Sequence, residues 1–157
     1  MPTASTLARD NKNNSLVAGC RFCVIDERKT VVVQKKEMLY VALSNPRLVR
    51  GHLLVIPMRH VEKLSELTKD EQRELWDTVV EYQEKILSSL STGCDVRQNY
   101  RPFQRQGRVK VDHLHIHLIP REFKDQIYQL TQIYETELFK DIDEQEKLSV
   151  LALLGRE

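Results

Sequence analysis

His113-Leu114-His115-Ile116-His117-Leu118-Ile119 is the stretch that decides how this 157-residue chain folds. In a β-strand successive side chains point to opposite faces. The three histidines therefore predict one polar surface, and Leu114, Ile116 and Leu118 predict a core-facing one. At a rise of about 3.3 Å per residue, neighbouring imidazoles stand roughly 7 Å apart. Such a row can supply a nucleophile, an acid or base and a hydrogen-bond donor near neutral pH. Three of the five histidines of the chain lie here. The plain alternative is a half-buried strand with a histidine-rich solvent face, or a tag-like metal chelator.

The flanking sequence predicts an α+β fold with a mainly antiparallel sheet, one long helix and C-terminal helices. Thr30–Gln34 and Leu39–Leu43 read as a hairpin, and Ser44–Gly51 as a turn. His52–Ile56 is an apolar strand stopped by Pro57. Thr68 with Glu71 three residues on is a capping box. Leu75, Val79, Tyr82, Ile86 and Leu90 then recur at helical spacing to about Ser91, and Gly93 marks the stop. Cys94–Tyr100 reads as a strand, Arg101–Gly107 as a loop, Val109–Ile119 as the histidine strand, and Glu122–Lys140 and Glu144–Leu154 as two helices.

Hydrophobic residues make up 41% of the chain, charged residues 30%, and the formal net charge is +1. These values fit one globular domain and supply no global field for nucleic acid or membrane. No apolar run approaches the ~20 residues needed to span a bilayer. Residues 1–19 are polar, lack a secretory core and predict a flexible tail, leaving 20–157 as the domain. Three cysteines, two of them as Cys20-x-x-Cys23, suit a reducing, cytoplasmic compartment better than a disulfide framework. The same Cys-x-x-Cys is half of a tetrahedral zinc spacing, with two buried free thiols as the alternative. Arg97, Arg101, Arg105, Arg108 and Lys110 form a cationic stretch ahead of the triad, equally readable as a solvated loop.

The run His113-Leu114-His115-Ile116-His117-Leu118-Ile119 resembles the signature of the histidine triad (HIT) family. Gly51-His52-Leu53-Leu54-Val55-Ile56-Pro57-Met58-Arg59-His60-Val61, Cys20-Arg21-Phe22-Cys23 and Pro120-Arg121 extend that resemblance, in order, over about residues 20–121. The resemblance implies a nucleotide hydrolase or nucleotidyl transferase acting at the α-phosphate of diadenosine polyphosphates or nucleoside phosphoramidates. It makes His115 the nucleophile that forms a covalent nucleotidyl-histidine. A backbone carbonyl would fix its Nδ1–H, and His117 would donate to a phosphate oxygen. His52 would steady the triad from beside the substrate site. In zinc-bearing relatives the other two metal ligands are the histidine after the Ile-Pro turn and the first of the triad. Here those are His60 and His113, giving structural Zn²⁺ on Cys20, Cys23, His60 and His113. A homodimer is implied as well.

The pattern is departed from in three places. The glutamine that precedes the triad in many relatives is Val109 here. The Asn99–Phe103 stretch lengthens the loop, with Asn99 matching a phosphate-contacting asparagine. Ser44 and Asn45 stand where a ribose-binding acid is expected, so a ribose hydroxyl would meet neutral partners there. These departures motivate a second reading, a zinc-stabilised nucleotide-binding module with little turnover. Processing of nucleic-acid ends is a third, against which the near-neutral charge and lack of a DNA-binding appendage argue.

Overall fold

The computed structural model describes residues 16–154. Of the tail expected over 1–19, residues 1–15 lie outside the described residues, while Cys20 N–H closes a turn on Val17 O at 3.1 Å. The chain divides between Glu122 and Phe123 into two compact units.

The first unit is built on a five-stranded antiparallel sheet. Its strands are β1 (Val32–Lys35), β2 (Leu39–Leu43), β3 (Leu53–Pro57), β4 (Gly93–Gln98) and β5 (Ile116–Arg121). Their spatial order is β1-β2-β3-β5-β4, so β5 sits inside the sheet between β3 and β4. Helix α1 (Lys69–Ser89) connects β3 to β4. The expected α+β architecture is the observed one.

Alternation sorts the side chains onto two faces. Leu39, Val41, Leu53, Val55, Leu114, Ile116 and Leu118 form one core with Leu75, Val79, Tyr82 and Ile86 of α1. Those four helix residues recur at the three- and four-residue spacing that puts them on one stripe. The opposite face carries a smaller cluster, Tyr40, Ala42, Leu54 and Ile56, against which Phe22, Ile25, Val32 and Met58 pack. His117 pairs with Leu54 in the register, so it belongs to this second face.

The start of α1 is fixed by the expected capping box. Thr68 Oγ1 accepts the Glu71 N–H at 3.2 Å, and Glu71 Oε2 accepts the Thr68 N–H at 2.8 Å. Arg59, from the turn after β3, completes the joint by donating to Glu71 Oε1 at 2.9 Å and Oε2 at 2.7 Å. Gly51 adopts φ +79°, a conformation that side chains resist. A Cβ there would also meet Leu90 Cδ1 at 3.0 Å and Pro120 Cγ at 3.3 Å.

Several expected boundaries move. The histidine strand expected over Val109–Ile119 is Ile116–Arg121. Its pairing with β3 covers only Ile116–Leu118, and β4 ends at Gln98, so 109–115 have no ladder to join. The Leu114 N–H goes to Val61 O instead, at 2.6 Å. The β3 strand starts at Leu53 rather than His52 and ends on Pro57 itself, while Pro120 lies within β5. The β1 strand starts at Val32 rather than Thr30, and β4 closes before Asn99.

In the second unit, the helix expected over Glu122–Lys140 is broken into a wide helical turn (Tyr128–Gln132), α2 (Ile133–Glu135) and a tight turn (Thr136–Leu138). Lys124 at φ 55° ends any helix that would begin at Glu122. The Thr131 hydroxyl donates to Ile127 O at 2.7 Å and the Thr136 hydroxyl to Ile133 O at 2.7 Å, competing with regular helical bonding. Helix α3 (Glu144–Leu154) has the expected bounds.

The Arg59 hydrogen bonds hold the Glu71 carboxyl below its usual range. A carboxylate depressed on folding stabilises above its unfolded pKa and loses that contribution as pH falls through the folded value. We expect Glu71→Gln to lower stability by about 1–2 kcal/mol at neutral pH, the scale of a lost cap and charge-assisted bond. Urea unfolding should show the difference shrinking as pH falls below the usual carboxylate range and the wild-type carboxyl takes up its own proton.

Candidate functional site

The sheet face opposite α1 opens into a cavity of about 700 Å³. Ala42, Leu54 and Ile56 line it from the sheet, and His52, His115 and His117 bring imidazoles to it. The His115 and His117 ring centroids are 4.7 Å apart, closer than an ideal strand would place them, because His115 precedes the paired residues of β5.

Hydrogen bonds assign the tautomers. His115 Nδ1 lies 2.6 Å from His113 O, and only an Nδ1–H can bond to a carbonyl. This leaves Nε2 of His115 with its lone pair free. The Leu48 N–H donates to His52 Nδ1 at 3.2 Å, so His52 carries its proton on Nε2. That Nε2–H donates to His117 Nδ1 at 2.9 Å, which leaves His117 an Nε2–H to offer a ligand. A nucleophilic nitrogen and a donor therefore stand side by side.

Electrostatics hold these rings neutral. Burial pushes the His52 pKa down to about 4, reinforced by the charges of His115 and Arg97. Burial also pushes His117 down to about 3, with His115, His52 and Arg97 adding to the effect. His115 is lowered by burial against the opposing pull of the His113 carbonyl. Arg97 faces His117 directly across the β4–β5 ladder and is held by Asp95, which Arg121 also grips.

On the other side of His115, Cys20, Cys23, His60 and His113 bring four ligand atoms within 4.8 Å of one another. Cys20 Sγ is 3.4 Å and Cys23 Sγ 3.6 Å from His113 Nδ1, and Cys23 Sγ is 3.3 Å from His60 Nδ1. His113 Nε2–H donates to Pro57 O at 2.8 Å, turning Nδ1 toward the thiols. This group can hold a metal ion.

The other residues singled out from sequence fare differently. Ser44 and Asn45 line the cavity, the Ser44 hydroxyl donating to Pro46 O at 2.8 Å and the Asn45 amide to Lys29 O at 3.4 Å. Asn99 is exposed just beyond β4 and is not among the lining residues. Of the cationic stretch, Arg108 alone lines the cavity, while Lys110 pairs with Asp112. Sequence reasoning missed Phe22, Arg21, Asp26, Lys29 and Arg47, all in the cavity wall. The only local signal was Arg21-Phe22 between the two cysteines, since a ligand-bearing loop must put its intervening residues somewhere nearby.

The HIT domain model matches residues 26–124. A bifunctional bis(5'-adenosyl)-triphosphatase/adenylylsulfatase of Arabidopsis thaliana is 32% identical over 126 residues, covering 76% of this chain and 67% of its own. An adenosine 5'-monophosphoramidase of Candida albicans is 29% identical, covering 67% of this chain and 72% of its own. The crystal structure of a zinc-bound histidine triad family protein from Mycobacterium smegmatis superimposes with a TM-score of 0.60 at 21% identity, over 82% of this chain and 86% of that one.

The hydrogen-bond chain predicts the titration of the site. Resolved ¹⁵N spectra should show His52 and His117 neutral down to about pH 5, with His52 as the Nε2–H tautomer, since both rings titrate near 3–4. Protonation of either near the ordinary histidine value would contradict the chain of donors.

Proposed function

This chain belongs to the HIT domain family, and from that membership we propose that it cleaves nucleotides at the α-phosphate through a nucleotidyl-histidine formed on His115. The observation that carries this reading is the His115 Nδ1–H bond to His113 O at 2.6 Å, which presents an unprotonated Nε2 to the cavity. Substrates are of the diadenosine polyphosphate or nucleoside phosphoramidate type, the classes named for the Arabidopsis and Candida relatives.

In the first step the Nε2 lone pair of His115 forms a bond to phosphorus as the bond to the leaving group breaks. The leaving group departs with that electron pair. Water, or another acceptor, then breaks the P–N bond and releases the nucleoside monophosphate. His117 Nε2–H donates to a phosphoryl oxygen where charge gathers, and His52 holds it in the donating tautomer. Because neither ring is protonated near neutral pH, His117 acts by hydrogen bonding rather than by carrying full charge. Arg21, Lys29, Arg47 and Arg108 surround the substrate with cations suited to phosphate oxygens. Ser44, Asn45 and Asp26 are the polar groups available to ribose hydroxyls.

We assign Zn²⁺ to Cys20, Cys23, His60 and His113. With Zn–S near 2.3 Å and Zn–N near 2.0 Å, tetrahedral geometry separates S from N by about 3.5 Å. The S···N separations of 3.3, 3.4 and 3.6 Å match that edge. Such an ion ties the N-terminal segment to the triad and supplies no reacting atom. Thiolate ligands of this kind suit a cytoplasmic, reducing compartment. A homodimer is supported by the exposed Trp76, Val80 and Leu87 of α1 beside Val96 of edge strand β4. No helix among the described residues is long and apolar enough to cross a membrane.

His115→Asn should remove turnover of diadenosine polyphosphates and adenosine phosphoramidate, about 10³-fold or more, while leaving the melting temperature unchanged. Acid-quenched wild type should retain labelled nucleotide on the protein in an acid-labile bond, and the variant none. Full activity in the variant would refute the role of His115.

A further inference from the structure

The Cys-x-x-Cys segment faces two ways. Its cysteines reach the imidazoles of His60 and His113, and one of the two residues between them, Phe22, turns its ring toward the reaction side. That ring stands edge-on to His115, with centroids 5.2 Å apart and planes at 72°. It meets His113 in the same manner at 5.7 Å and 81°. The Phe22 carbonyl accepts the hydroxyl of Tyr40 at 2.9 Å, and Tyr40 is only 1% exposed.

The second support of His115 comes from the same ligand group. Its Nδ1–H is held by the carbonyl of His113, whose ring in turn uses Nδ1 for the thiols and Nε2 for Pro57 O. One contact sets which nitrogen of His115 carries the proton, and the other limits how far the ring can swing sideways. Both are presented by residues that belong to, or lie between, the four ligands. Residues 16–31 form neither helix nor strand, so apart from local turns and the Leu43 N–H bond to Val31 O at 2.9 Å, contacts made by side chains hold this segment against the sheet. Tyr40 and the small apolar cluster hold Phe22 from one side, leaving the four-ligand group to hold it from the other.

We infer that Phe22 is a positioning residue for the nucleophile, and that metal on Cys20, Cys23, His60 and His113 locks Phe22 and the His113 carbonyl into their supporting places. The metal then governs the aim of His115 without contacting substrate. This inference rests on His115 being the attacking group. It implies that the metal ligands at both ends of this short loop and the cavity-shaping residue between them cannot vary independently.

The test pairs Phe22→Leu with chelation of the wild-type protein. Phe22→Leu keeps all four ligands, so metal content by atomic emission and the melting curve should match wild type. At saturating substrate its rate of adduct formation should fall about tenfold with KM little changed, as expected for a misaimed group rather than weaker binding. Two-bond ¹⁵N–¹H spectra should show His115 passing from one tautomer, protonated on Nδ1, to a mixture. Phe22→Tyr should restore both the rate and the spectrum. Chelated wild type should show the same His115 change. The inference is overturned if Phe22→Leu raises KM alone with the spectrum intact, or if the chelated protein keeps the single tautomer. If no nucleotide labels the wild-type protein, the role of His115 as nucleophile fails, and the spectra still decide whether metal and Phe22 set its ring.

Discussion

Leu114, Ile116 and Leu118 must stay dry, and that constraint organises the rest of the molecule. They are each at most 1% exposed beneath α1. With every second side chain committed to that core, the histidines between them are delivered to the other face. There a smaller apolar cluster leaves room for a cavity instead of a second helix. The same helix whose stripe covers one face thus determines which face is free for chemistry. Burial by about 25 cal/mol per Å² stabilises the arrangement, and the polar groups it strands are satisfied locally. His113, buried at 2% exposure, has thiols on one nitrogen and a carbonyl on the other.

Period-two alternation around the triad and the 3.6-residue stripe of α1 made the fold class legible in the sequence, because each is a direct imprint of burial. The capping box at Thr68 and Glu71 was legible for the same reason, being a local hydrogen-bond pattern complete within four residues. The early end of the histidine strand was not. Whether 109–115 join a ladder depends on how far β3 and β4 reach, which is a property of distant chain. The broken helix after Glu122 escaped as well, because its pattern of apolar residues is helical while Lys124 and the threonines work against regular bonding.

At the site, the histidines and cysteines were readable because few other residues can do their chemistry. Their grouping as Cys20, Cys23, His60 and His113 rested on resemblance, and the structure brings those four side chains together. Asp26, Lys29 and Arg47 were invisible because ordinary residue types become part of a cavity only when the chain folds back on itself. Asn99 illustrates the converse. A residue type suited to phosphate sits near the triad in sequence, yet it lies exposed beyond the end of β4.

The four cations in the cavity wall are themselves solvent-exposed, and they come from three separate segments of chain. A charge placed in open water acts over about a Debye length, some 8 Å at physiological salt, before any contact is made. Polyanions would thus be gathered by diffusion toward the mouth, while the buried imidazoles behind it feel little of the surrounding electrolyte. Capture should slow steeply as salt is added, and bond exchange at phosphorus should hardly notice.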